Sequence, residues 1–282
     1  MEKKKILYVS QEICPYMNES AMGTLGSALP QLMQESGKDI RIFLPRFGTV
    51  NERRHQLHEV IRLSGMNLII DDFDHQLIIK VASVQQSRMQ VYFIDNEEYF
   101  PKRHYLNDSE GNFMQNNDER MMFFCKGVIE TVKKLGWAPD IIHCNGWFSA
   151  LAPMYIKKLY NKDPMFANTK IYYTVFDNPF KGDLNNSLSE KLLFEDLQDK
   201  DVEMIGNPTF DNLNKFAISY SDAVVQGSKK LSKNLLNFIK NNNIPVLVKT
   251  DDDNFEEQCL SFYDSTEKAK KTKKNKQLVE VV

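Results

Sequence analysis

Lys5-Ile6-Leu7-Tyr8-Val9-Ser10 is a short apolar run that opens directly onto a loop, Gln11 to Gly23, ahead of a helical pattern. A buried strand whose end feeds a helix N-terminus is the first unit of a doubly wound α/β domain. It is also where such domains hold the phosphates of a nucleotide. The loop reads Ile13-Cys14-Pro15-Tyr16-Met17-Asn18-Glu19-Ser20-Ala21-Met22-Gly23, with no lysine or arginine and a single glycine. The layout of a nucleotide site is present; its charge is not.

Outward from this stretch, short apolar runs alternate with helical patterns. Ile40–Leu44, Met66–Ile70, Leu77–Val84, Met89–Ile94, Ile141–His143, Ile171–Val175, Val224-Val225 and Val246–Val248 read as strands. The segment Asp71 to His75 between the second and third of these reads as a hairpin turn. Helical spacing covers Leu25–Glu35, which ends at Gly37, and Asp118–Leu135, where Met121, Phe124, Cys125, Val128, Ile129 and Val132 share one face. Ala150–Tyr160 and Asp222–Lys240 read as further helices. The alternation predicts a mostly parallel sheet covered on both faces, with residues 1–250 as one domain. Residues 251–282 form a charged, lysine-rich tail, disordered or helical, that holds Asp251-Asp252-Asp253 and six lysines between Glu267 and Lys276.

Composition narrows the function. Among 282 residues, 42% are hydrophobic and 26% charged, enough for a sizeable core, and the net charge of −2 provides no global field for nucleic acid or an anionic membrane. The apolar part of the N-terminal stretch is too short for a signal sequence or a membrane span, so a cytoplasmic location is expected. Cys14, Cys125, Cys144 and Cys259 are widely spaced, a pattern of reduced thiols rather than of a metal site or a disulfide framework. His55 and His58 lack a third ligand nearby in sequence, and no metal or cofactor is expected. No P-loop, Gly-x-Ser-x-Gly elbow or HExxH motif occurs.

Several stretches resemble one family when taken in order. Tyr92-Phe93-Ile94-Asp95-Asn96-Glu97-Glu98-Tyr99-Phe100, then Asn117-Asp118-Glu119-Arg120, then Pro139-Asp140-Ile141-Ile142-His143-Cys144-Asn145-Gly146-Trp147 are similar to segments of bacterial glycogen and plant starch synthases. Leu44-Pro45-Arg46-Phe47-Gly48 and Ser221-Asp222-Ala223-Val224-Val225 add two landmarks. The resemblance implies the N-terminal, Rossmann-like half of a two-domain GT-B glycosyltransferase, which moves glucose from ADP-glucose to an α-1,4-glucan. It implies a substrate cleft lined by Asn18, His143, Asn145, Trp147, Phe176 and Asp177. Val9-Ser10, His143 and Val175-Phe176 should then meet around one crevice at the ends of adjacent strands.

The departures matter as much. Where the family carries a Lys-Thr-Gly-Gly-Leu stretch and an aspartate, this chain has Asn18, Ser20 and Ala21, then Thr24. The aspartate of the His-Ala-His-Asp-Trp segment becomes Gly146, and the histidine of Thr-Val-His-Asn becomes Phe176. No catalytic residue is assigned, and nothing after Val248 resembles the family's second domain. Three functions follow: a transferase of glycogen metabolism, a glucan-binding pseudo-glycosyltransferase, or half of a split enzyme completed by a separate C-terminal-type domain. An α-glucan or a weakly held sugar nucleotide is the expected ligand.

Bland roles stand beside these. His143 contacts sugar or is a buried, hydrogen-bonded histidine. Trp147 packs between helix and sheet or stacks on a sugar ring. Asn117, Asp118 and Arg120 read as a helix cap with first-turn charges. Glu52-Arg53-Arg54-His55 reads as a solvated loop or a contact for phosphate or an acidic partner.

Overall fold

The computed structural model describes residues 3–84, 89–250 and 254–266. Its strands are β1 (Lys5–Ser10), β2 (Asp39–Pro45), β3 (His58–Glu59), β4 (Met66–Ile70), β5 (Phe73–Ser83), β6 (Gln90–Asp95), β7 (Ile141–Asn145), β8 (Lys170–Val175), β9 (Ala223–Gln226) and β10 (Val246–Val248). Its helices are α1 (Ala21–Glu35), α2 (Asn117–Lys134), α3 (Ala152–Lys158), α4 (Leu188–Leu193), α5 (Asp199–Val202), α6 (Phe210–Ser219), α7 (Lys233–Asn241) and α8 over 255–266.

The main sheet runs β10-β9-β8-β7-β1-β2-β6-β5-β3, with β4 pairing β5 to one side. Pairing is parallel from β10 to β6, and β5 joins antiparallel. The expected open, mostly parallel α/β sheet is therefore the fold. Period-two alternation divides the core: Leu7 and Val9 face the layer of α2, α3 and α6, while Ile6 and Tyr8 face α1 and α8. Both faces are buried, so the central strands read as unbroken apolar runs.

The structure corrects several boundaries. The helix read over Asp222–Lys240 is strand β9 followed by a shorter α7. Asp222 ends its loop by accepting the Ile171 amide at 2.9 Å and Lys157 Nζ at 2.7 Å, which commits the next residues to the sheet. Ser232 then caps α7 by accepting the Leu235 amide at 3.1 Å. The turn read over Asp71–His75 is tighter: Asp71 and Asp72 alone take positive φ (48° and 64°), and β5 begins at Phe73. Helix α1 starts four residues earlier than read, at Ala21, because Ser20 caps it. The third helix is shorter than Ala150–Tyr160, running from Ala152 to Lys158.

Helix α8 places Phe255, Cys259 and Tyr263 on one face, each buried against the sheet. The Asp251–Asp253 run and the lysine-rich stretch from Glu267 onward lie outside the described residues.

Candidate functional site

Parallel register sets the ends of the central strands level. Ser10 pairs with Asn145, Asn145 with Thr174, and Val175 with Gln226, so β1, β7, β8 and β9 open side by side. The loop after β1 rises over this edge and is tied down along its length. The Gln11 amide donates to Asn145 O at 3.2 Å, and Gln11 Oε1 accepts the Phe148 amide at 3.3 Å. Gln11 Nε2 donates to the Tyr105 hydroxyl at 2.7 Å, which donates to Glu12 Oε1 at 2.5 Å. Glu12 Oε2 accepts from Ser20 Oγ at 2.5 Å, and Ser20 Oγ accepts the Gly23 amide at 2.9 Å. Burial, then the neighbouring Glu12, keeps the Tyr105 phenol protonated by pushing its pKa well above the usual value.

The sequence-derived candidates divide sharply. Asn18 and Asp177 are exposed at this edge, and the Asp177 amide donates to Ser228 Oγ at 2.9 Å. The other four are buried. His143 is fully buried within β7: Nε2 meets Thr174 Oγ1 at 2.5 Å and Nδ1 meets the Tyr263 hydroxyl of α8. Burial lowers its pKa to about 3, so it is neutral. Asn145 lies beside the buried Tyr8 phenol and donates to His143 O at 3.3 Å. Trp147 is 1% exposed and sits edge-on to Phe180 and Phe148, with ring centroids at 4.8 and 5.3 Å. It is core. Phe176 is 3% exposed and lies in the apolar cluster with Tyr8 and Val225.

Gly146 shows how closely the first loop packs on the strand ends. Its φ is +78°, and a Cβ there would stand 2.6 Å from Met22 Cε and 3.1 Å from Gln11 Oε1. Met22 fills the space that a side chain at 146 would need. Gly146→Ala should therefore cost about 1–3 kcal/mol, combining left-handed strain with displacement of Met22. Met22→Ala alone should cost about 2–5 kcal/mol as a buried truncation, but in that background Gly146→Ala should cost less, keeping only the strain part, as chemical unfolding of both single variants and the double would show. Equal stability of Gly146→Ala and the parent protein would refute this account.

A second network was invisible to the sequence reading. Asp118 is a first-turn charge of α2, as read, but none of Asn117, Asp118 and Arg120 caps the helix; Asn116 precedes it without a side-chain cap. Arg120 is fully buried and donates from Nε to Tyr99 O at 2.6 Å, from Nη2 to Tyr105 O at 2.7 Å, and from Nη1 to Asn117 Oδ1. Asn117 Nδ2 donates to Leu106 O at 2.9 Å. Lys191 on α4 reaches Asp118 at 2.8 Å and Glu119 at 2.5 Å. These bonds hold the loop that delivers Tyr105 to the first loop. No local pattern points to Gln11, Glu12 and Tyr105 as partners, because the triad closes only in three dimensions.

The Glu52–His55 segment lies further along the sheet. His55 packs against Tyr16 with ring centroids 4.9 Å apart and planes tilted by 60°, and burial together with Arg54 lowers its pKa. Among the described residues, no three His, Cys, Asp or Glu side chains gather to hold a metal ion, and no helix is long and apolar enough to cross a membrane. The four cysteines are unpaired.

Comparison with known proteins agrees with this architecture. The family described as the starch synthase catalytic domain matches residues 5–247. A glycogen synthase of Chlorobium limicola is 37% identical over 194 residues, covering 68% of this chain and 40% of the relative. One of Chlorobaculum tepidum is 34% identical over 233 residues, covering 82% and 47%. The chain thus spans less than half the length of these curated relatives. Among solved structures, the catalytic domain of starch synthase IV from Arabidopsis thaliana, bound to ADP and acarbose, superposes with a TM-score of 0.68. It is 20% identical, and the match covers 90% of this chain and 53% of that one. At that identity the likeness speaks for the fold.

Proposed function

Because this chain belongs to the starch synthase catalytic domain family, we propose that it serves α-glucan metabolism without itself transferring glucose from ADP-glucose. One observation carries the reading: positions that are polar in the family motif are here filled with apolar packing. Met22 blocks a side chain at Gly146, and Phe176 is buried where the motif has a histidine. A phenyl ring neither donates a hydrogen bond to a sugar hydroxyl nor exchanges a proton. Transfer from a sugar nucleotide needs positive charge or aligned donors on the departing diphosphate. The first loop contains no cation, and the exposed Asn18 is neutral.

The Arabidopsis protein binds ADP and acarbose; in this chain we assign the crevice to a neutral glucan in preference to ADP-glucose. With Trp147, Asn145 and Phe176 buried, that contact falls to hydrogen-bonding groups at the rim such as Asn18 and Asp177, rather than to an aromatic platform. Unpaired cysteines support a reducing, cytoplasmic setting.

The test is incorporation of labelled glucose from ADP-glucose into glycogen by the purified chain. No incorporation above buffer is expected, and measurable elongation would overturn the proposal. Transfer that appears only on adding a separate polypeptide with the second half of a relative would favour the split-enzyme reading.

A further inference from the structure

Beyond the central crevice, the loops after β2 and β6 enclose a separate open cleft of about 800 Å³. Its floor is an ion cluster that satisfies itself. Arg46 Nε meets Asp95 Oδ1 at 2.7 Å, Lys80 Nζ meets Asp95 Oδ2 at 2.9 Å, and Lys80 also reaches Glu52 at 2.9 Å. Arg46 Nη2 donates to Phe100 O at 2.6 Å. Two cations face two carboxylates, so the floor is neutral.

The rim is not. Arg53, Lys102 and Arg103 line the cleft and are exposed, and none forms an ion pair or side-chain hydrogen bond among the described residues. Glu97 is the one carboxylate beside them on the rim. Three cations against one anion on a chain of net charge −2 is a local concentration of positive charge.

The walls are fixed by the backbone. Arg103 N donates to Gly48 O at 2.9 Å, and Arg103 holds φ at +72°. A Cβ on Gly48 would stand 1.9 Å from Pro101 O, so the two loops touch main chain to main chain. A left-handed arginine is sparsely populated and persists where its surroundings impose it, a feature that clusters at ligand sites.

We propose that this cleft binds the phosphate monoester of a sugar. Guanidinium forks match phosphate oxygens in pairs, and a dianionic group is what three unpaired cations can neutralise. Thr49 and Asn51, also on the lining, offer neutral groups to sugar hydroxyls. The cleft is of a size to take a small ligand of that kind, and three clustered cations are too few to track a polyanion such as nucleic acid. The inference does not depend on whether the central crevice binds glucan.

Calorimetry on the full chain at low salt tests it, with glucose 1-phosphate, inorganic phosphate and glucose as probes. Glucose 1-phosphate should bind saturably, glucose should not, and the affinity should weaken on moving from about 20 to about 150 mM salt. An Arg53→Gln/Arg103→Asn double variant should bind at least about tenfold more weakly. Asparagine is chosen at 103 because it tolerates the left-handed conformation. Lys162→Gln, an exposed change outside the cleft, should leave binding unchanged. No saturable binding of glucose 1-phosphate, or equal binding by the double variant, would overturn the site. Inorganic phosphate binding as tightly as glucose 1-phosphate would overturn the sugar assignment.

Discussion

Replacing Arg120 with leucine is expected to remove about 3–5 kcal/mol of folding stability, which for a domain of marginal stability is a large share. The guanidinium is buried beneath the loop that runs from Tyr99 to Leu106, and burial lowers its pKa to about 9, so it remains charged at neutral pH. It stays protonated inside because its donors reach Tyr99 O, Tyr105 O and Asn117 Oδ1 while its face lies over Phe47 and Phe100, with ring centroids at 5.4 and 5.3 Å. Leucine would leave those acceptors without their donor, at about 1–3 kcal/mol each, and relief of the buried charge offsets part of that. Arg120→Lys should recover less than half of the loss, since an ammonium cannot span the same fork. Urea unfolding would read the stability. Amide exchange would show whether residues 99–106 lose protection before the sheet does, as expected if Arg120 holds that loop. A loss below about 1 kcal/mol would mean the acceptors find other donors and the network is dispensable.

This network also marks where sequence reading stops. Helix α2 was legible because its apolar spacing is regular over more than three turns, from Met121 to Val132, and the central strands because both their faces are buried. The roles of Asn117, Asp118 and Arg120 were not, because a cap and a tertiary clamp use the same residue types at the same helix end. Helices α4 and α5 are too short to show a period, and β3 is two residues long. The stretch from Asp222 to Lys240 carries both readings: Val224-Val225 reads as the strand that β9 is, while the helix read across the same residues begins only at Lys233. Position fared better than chemistry at the crevice. Adjacent strand ends follow from topology, and β1, β7 and β8 do lie side by side. Whether a residue there is open or sealed depends on a distant partner, as Gly146 depends on Met22 and His143 on Tyr263. The tail held the largest surprise in packing, since Phe255, Cys259 and Tyr263 at four-residue intervals form a buried face within a segment dominated by charge.

His143 should make the protein lose stability in acid well before its carboxylates titrate. In the unfolded chain the imidazole protonates near pH 6.5, whereas in the fold burial holds its pKa at about 3. Between those values the unfolded state binds one more proton than the native state, so stability falls as pH drops and is fully present above about 6.5. The slope from this one group is about 1.4 kcal/mol per pH unit, or about 2 kcal/mol between pH 6.5 and 5. Nothing near the ring compensates: Thr174, Tyr263, Tyr8 and Tyr172 surround it, and none offers a carboxylate. Protonation would force the Tyr263 hydroxyl to act only as acceptor toward Nδ1, in a pocket that cannot hydrate the charge. Helix α8 should therefore be the first element released. Burial raises the pKa of Asp118 and Glu195, and raised carboxylates contribute the opposite sign, gaining stability as pH falls through their folded values. His55, with its lowered pKa, adds to the loss. The comparison that isolates His143 is thus His143→Gln against the parent protein, by urea unfolding at pH 6.5 and pH 5. Glutamine is neutral at both values, so the variant, though weaker at pH 6.5, should lose less than half as much on acidification. Parallel losses in the two proteins would place the acid sensitivity elsewhere and show that the imidazole is hydrated when charged.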